Sequence, residues 1–213
     1  LPRIISMTPA TMSKYATASP DVVSWAAKAG YTHVGLRVLT GVADRDHPML
    51  PGRPMMRETR VRLEGEGIKP FEIEVARLDA QTDAAAFAPH LEAASLLGGK
   101  HLVAIGNDED LSRLIANFAA LCDLAAQYNL TVNLEPTSYY VVNSIRSARV
   151  IVDAAGKTNG AVAPDPLHFH RVQDNLDDLR ALARVNVLQF CDAPAQGSAI
   201  AEERMVEARQ DRL

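Results

Sequence analysis

Short apolar, β-rich runs alternate with longer helical patterns along the whole of this 213-residue chain, and successive runs begin about 30 residues apart. A strand, its crossover helix and two turns need about that many residues, so the chain reads as βα units laid end to end. The runs begin near Ile4, His33, Lys69, Lys100, Leu130, Ala161 and Asn186. Their cores are short and apolar, as in Leu102-Val103-Ala104-Ile105 and Val185-Asn186-Val187-Leu188, which suits a parallel sheet covered by helices. Between them, Ser19-Pro20 opens a helix that Gly30 stops. Leu111, Leu114, Ile115, Phe118, Leu121, Cys122 and Ala125 fall at steps of three and four, one apolar stripe that places Cys122 in the core. The stretch from Arg37 to Pro54, rich in Gly and Pro, reads as a long βα loop.

Two architectures use this repeat, an open doubly wound sheet and a closed barrel. A doubly wound nucleotide-binding sheet needs a Gly-rich phosphate turn after an early strand, and neither G-x-G-x-x-G nor G-x-x-x-x-G-K-[ST] occurs in the chain. The expectation is therefore α/β, a single (β/α)8 TIM barrel domain over residues 1–213. Seven strands are accounted for by Asn186, and the eighth βα unit would fall beyond Leu213. The barrel is thus expected to be incomplete at its C-terminal end, with a gap between its first and seventh strands.

Composition narrows the function classes. The net charge is −4 with basic residues dispersed, which leaves no Lys/Arg stripe for nucleic-acid phosphates. No run approaches the roughly 18 apolar residues of a membrane span. Two cysteines, Cys122 and Cys191, form neither a disulfide framework nor a zinc pair, and both read as buried thiols. A cytoplasmic protein acting on small molecules is expected.

Barrels place their chemistry at the C-terminal strand ends, so polar residues following apolar strand cores carry the most information. The fifth strand puts Asn133 and Glu135 on one face by period two, and Pro136 ends the ladder. A carboxylate facing a barrel interior needs a metal, a cation or a proton. After the sixth strand Asp165, His168, His170 and Arg171 crowd into seven residues, and a carboxylate with a neutral imidazole is a common ligand set for Mn, Mg, Co or Zn. The seventh strand brings Gln189 and Asp192 to the same rim. On the third strand Glu74 lies nearer the reactive end than Glu72, for which pairing with Lys69 or Arg77 is the plainer reading. Arg37, after the second strand, offers a cation to a substrate or to an ion pair. His33, His90 and His101 lie away from this rim and read as structural.

Three ordered motifs, Asn133-Leu134-Glu135-Pro136, Asp165-Pro166-Leu167-His168-Phe169-His170-Arg171 and Gln189-Phe190-Cys191-Asp192-Ala193-Pro194, resemble the sugar phosphate isomerase/epimerase family of xylose isomerase-like TIM barrels. The resemblance implies that Glu135, Asp165 and Gln189 hold a divalent metal cation. It also implies that Glu135 moves a proton and that His168 contacts substrate. Arg37, Glu74, His170, Arg171 and Arg209 are the further substrate-binding candidates. The family's last metal-binding glutamate lies on the eighth strand, outside this sequence. The implied activity is isomerisation or epimerisation of a sugar, sugar phosphate or polyol by proton transfer through an enediolate, in keeping with a role in carbohydrate metabolism. The alternatives are a metal-dependent lyase that dehydrates a keto-polyol or dehydroshikimate-like acid, and a non-catalytic barrel that binds a sugar-like ligand. The implied partner is a small-molecule sugar or polyol, with self-association into a homo-oligomer compatible with it. The −4 charge argues against the family's nuclease branch.

Overall fold

The computed structural model describes residues 4–9, 19–39, 48–191, 197, 200 and 203–205. Strands and helices alternate as β1 (Ser6–Met7), α1 (Ser19–Lys28), β2 (His33–Arg37), α2 (Pro54–Glu66), β3 (Lys69–Asp79), α3 (Ala88–Leu97), β4 (His101–Asn107), α4 (Leu111–Ala126), β5 (Thr131–Leu134), α5 (Ile145–Ala155), β6 (Gly160–Val162), α6 (Pro166–Arg171) and α7 (Leu176–Arg180). The strands form one sheet in sequence order, β1-β2-β3-β4-β5-β6, and every neighbouring pair is parallel. Because each strand is followed by a crossover, all strand C-termini reach one rim.

The helices cover the outer face of the sheet. Leu114, Phe118, Leu121, Cys122 and Ala125 of α4 are buried and pack with Leu102, Ala104, Val132 and Leu134 of the strands beneath. Asp110 caps α4 by accepting from the Arg113 N–H, so the helix begins at Leu111. Leu111 is consequently in the exposed first turn, at 49% exposure, and does not belong to the buried stripe as its spacing suggests.

Two register shifts shape β3, one against β2 and one against β4 between Ile73 and Ala76. The second changes the parity of alternation. Ile73, Ala76 and Leu78 all join the helix-side core, which leaves Glu72, Glu74 and Arg77 off that cluster.

The expected seventh strand is not a strand. Residues 185–188 form no ladder; the Gln189 N–H donates to the Pro164 carbonyl at 3.1 Å, and the Asn186 amide donates to Asn133 Oδ1. Val187 and Gln189 are buried while Val185 and Leu188 are exposed, and among the described residues the segment's one main-chain bond is to Pro164, two residues beyond β6. Among the described residues no pairing links β6 back to β1. No described helix is long and apolar enough to cross a membrane.

Phe118 is fully buried and touches the Gly160 region of β6, so Phe118→Ala should cost about 3–5 kcal/mol of stability in urea unfolding. Leu111→Ala should stay within about 0.5 kcal/mol of the parent.

Candidate functional site

A staircase of main-chain bonds sets the height of the functional side chains. The Glu135 N–H donates to Ala104 O at the end of β5, the Ala163 N–H donates to Leu134 O, and the Gln189 N–H donates to Pro164 O. Glu135 and Asp165 thus leave adjacent strands at the same rim, and both are almost wholly buried.

Asp165 does more than follow a strand. Its Oδ1 accepts from the Leu167 N–H at 2.8 Å, capping α6, and also from the Cys191 thiol at 3.2 Å. Cys191 is therefore half-buried against a carboxylate rather than a core thiol, whereas Cys122 is buried and its pKa is pushed up to about 12 by that burial. One turn into α6, His168 is buried on the same side as Asp165.

Glu135, Asp165 and His168 each offer a ligand atom, and these atoms lie within 4.8 Å of one another. His168 Nε2 is 3.9 Å from Glu135 Oε1. Its other nitrogen, Nδ1, accepts from the Ser138 N–H at 3.3 Å and sits 3.1 Å from the Ser138 hydroxyl. A backbone N–H can only donate, so Nδ1 must be the unprotonated nitrogen and the neutral ring carries its proton on Nε2. An Nε2–H has no lone pair for a metal but is a hydrogen-bond donor, 3.9 Å from Glu135 Oε1. The two buried carboxylates fit a divalent cation, since two like charges so close and so dry need a positive partner. His168 fits the place beside it.

The loop that carries Ser138 is pinned. The Thr137 N–H donates to Val142 O, the Val142 N–H to Gly106 O, and the Val141 N–H to Asn107 Oδ1. A Cβ on Gly106 would lie 2.5 Å from Val142 Cγ2, so only glycine lets the loop seat there.

A second group of buried charges lies on β2 and β3. Arg37 pairs with Glu74 at 3.2 Å, which neutralises both. Glu72 is buried beside Glu74, and its pKa is raised to about 8, mainly by burial and further by the Glu74 charge. Gly35 leaves the space its carboxyl occupies, since a Cβ there would meet Glu72 Oε1 at 2.7 Å. Glu72 pairs with neither Lys69 nor Arg77, and it is held as the neutral acid.

The remaining candidates separate. His170 is exposed, because α6 turns Leu167, His168 and Arg171 inward and His170 outward; it does not reach the carboxylates. Arg171 is buried and lies against Gly197. Gln189 is buried at the end of the staircase. His33 and His101 sit at strand starts, each with a threonine hydroxyl on Nδ1. Arg209 and Asp192 lie outside the described residues. Sequence reasoning missed Ser138, Tyr139 and Tyr140. Tyr139 stacks edge-on against His168 at 5.4 Å and against Tyr140 at 4.7 Å. The signal was the polar, aromatic run Thr137-Ser138-Tyr139-Tyr140 directly after Pro136.

The family described as xylose isomerase-like TIM barrel matches residues 23–210. No curated protein matches the sequence. Among solved structures, a xylose isomerase-like TIM barrel/4-hydroxyphenylpyruvate dioxygenase fusion protein superposes with a TM-score of 0.73 at 16% identity, over 98% of this chain and 34% of its own. The chain thus spans about a third of that protein's length. An IOLI protein with a bound zinc atom gives 0.72 at 18% identity, covering 97% of this chain and 84% of its own. A D-allulose 3-epimerase from Methylomonas sp. gives 0.71 at 16% identity, over 92% and 76%.

Glu72 yields a pH test. Unfolded, it ionises near 4.5, whereas folded it keeps its proton to about 8. The folded state therefore binds the extra proton between those values, and its stabilising contribution is full below 4.5 and lost as pH rises through 8. Glu72→Gln should flatten the pH dependence of the denaturation midpoint in that window and leave the variant the more stable protein above pH 8. An unchanged slope would show that Glu72 is not held neutral.

Proposed function

This chain belongs to the xylose isomerase-like TIM barrel family, and on that premise we propose that it is a divalent-metal-dependent enzyme that moves a proton next to the carbonyl of a small sugar or polyol, isomerising or epimerising it. The observation that carries this reading is the convergence of buried Glu135, Asp165 and His168 within 4.8 Å at the C-terminal ends of β5 and β6. The zinc-containing and epimerase neighbours support the same chemistry.

Glu135 and Asp165 would hold the cation, with Gln189 as a third ligand from the next segment. When bound, a cation such as Mn, Mg, Co or Zn supplies Lewis acidity toward the substrate's carbonyl and adjacent hydroxyl. The protein's own residues do the rest. Asp165 is fixed by its cap and thiol contacts, so it holds position as substrate enters. Glu135 receives the α-proton as the enediolate forms and returns it to the neighbouring carbon or to the opposite face. His168, with its proton on Nε2, donates a hydrogen bond to the substrate oxygen that gains negative charge. The Ser138 N–H keeps the ring in that tautomer, and Tyr139 covers its face.

The test combines elemental analysis with nuclear magnetic resonance of a ketose panel in D2O. Metal retention and deuterium incorporation at the α-carbon are expected. A conjugated, dehydrated product would instead identify a lyase using the same proton abstraction, and metal without any exchange would leave a binding barrel. Glu135→Gln and Asp165→Asn should lower metal content and turnover together, each by tenfold or more, whereas His168→Ala should keep its metal and lose about 10²–10³ in kcat. Equal metal loss in all three variants would place His168 among the ligands.

A further inference from the structure

Arg77 is a half-buried cation that forms no ion pair among the described residues. Its guanidinium donates to the Tyr140 hydroxyl and lies 5.1 Å from the centroid of the Tyr140 ring. Its Nε is shielded from solvent and has no hydrogen-bond partner among the described residues. The acids near it in sequence are otherwise engaged. Glu74 is paired with Arg37, Asp79 Oδ1 accepts from the Gln81 N–H and the Thr82 hydroxyl, and Glu72 is neutral at pH 7. A phenol hydroxyl and a ring face stabilise a guanidinium only modestly and leave its charge intact.

Its place in the fold is informative. In the register Arg77 opposes Ile105 of β4, while Ala104 opposes Leu134, the residue before Glu135. Arg77 therefore stands at the height of Glu135, two strands away, or about 10 Å at ordinary strand spacing. Tyr140, Tyr139 and His168 form a continuous row of rings between the two. The bulge in β3 is what turns Arg77 off the helix-side core and toward this row.

We propose that Arg77 is the anion-recognition residue of this site, so that the substrate carries a phosphate or carboxylate group that Arg77 holds while its reacting carbons lie at Glu135 and His168. The substrate class is thus an anionic keto-polyol rather than a neutral ketose. The inference rests on the proton-transfer reading above for what happens at the far end of the row, but the anion site itself can be tested without turnover. A guanidinium fork takes two oxygens of either group, so phosphate and carboxylate are separated by measurement.

The full chain is titrated by thermal shift with inorganic phosphate, with malonate and with glycerol, and metal uptake is measured on the same samples. Phosphate or malonate should raise the melting temperature and glycerol at equal concentration should not; the tighter of the two anions names the group. Arg77→Gln should weaken that anion at least tenfold while keeping metal uptake, which shows that the variant is folded, and Arg77→Lys should recover part of the affinity. In turnover assays Arg77→Gln should raise KM for an anionic ketose far more than it lowers kcat. Equal anion binding by Arg77→Gln, or equal protection by glycerol, would overturn the proposal. Anion binding that depends on Arg77 in a protein that exchanges no α-proton would uphold it and remove the proton-transfer reading alone.

Discussion

Glu72, Glu74, Glu135 and Asp165 are all withdrawn from water on one parallel sheet, and a carboxylate so buried is tolerated only with specific compensation. Each has a different solution. Glu72 keeps its proton, Glu74 faces Arg37, and Asp165 accepts from a helix N-terminus and a thiol. Glu135 lies 3.9 Å from His168 Nε2, the nitrogen that carries the proton of the neutral ring. The acids that are neutralised internally line β3, and the two that converge on a common point lie on β5 and β6.

Much of the frame could be read from the chain. The βα repeat follows from alternating apolar runs, and six strand positions agree with the structure to within one or two residues. Glu135 and Asp165 could be found because they follow strand cores and precede prolines, so the ladder ends where they begin. What could not be read depends on register. Period two puts Arg77 on the face opposite Glu74, and only the shift between Ile73 and Ala76 brings it around. The expected seventh strand shows the same limit. Val185-Asn186-Val187-Leu188 has strand-like residues, yet the segment pairs through one main-chain bond and one side-chain amide.

The histidines make a similar point at shorter range. His168 and His170 sit two residues apart in one motif, and an extended loop would give them the same side. A helix one residue after Asp165 sends them to different sides, so that one is buried at the carboxylates and the other is in solvent. The helix itself exists there because Asp165 caps it and Pro166 occupies its first turn. His168 then owes its tautomer to a loop residue, Ser138, that no helical or strand periodicity marks.

The double use of Asp165 Oδ1 has a thermodynamic side. A surface aspartate samples several rotamers and loses that freedom on gripping a ligand. Here the Leu167 N–H and the Cys191 thiol have already selected one rotamer during folding. The entropy of ordering is met once, in the folding equilibrium, and not again at each binding event. A ligand arriving at this carboxylate meets a group whose direction is already fixed by the first turn of α6.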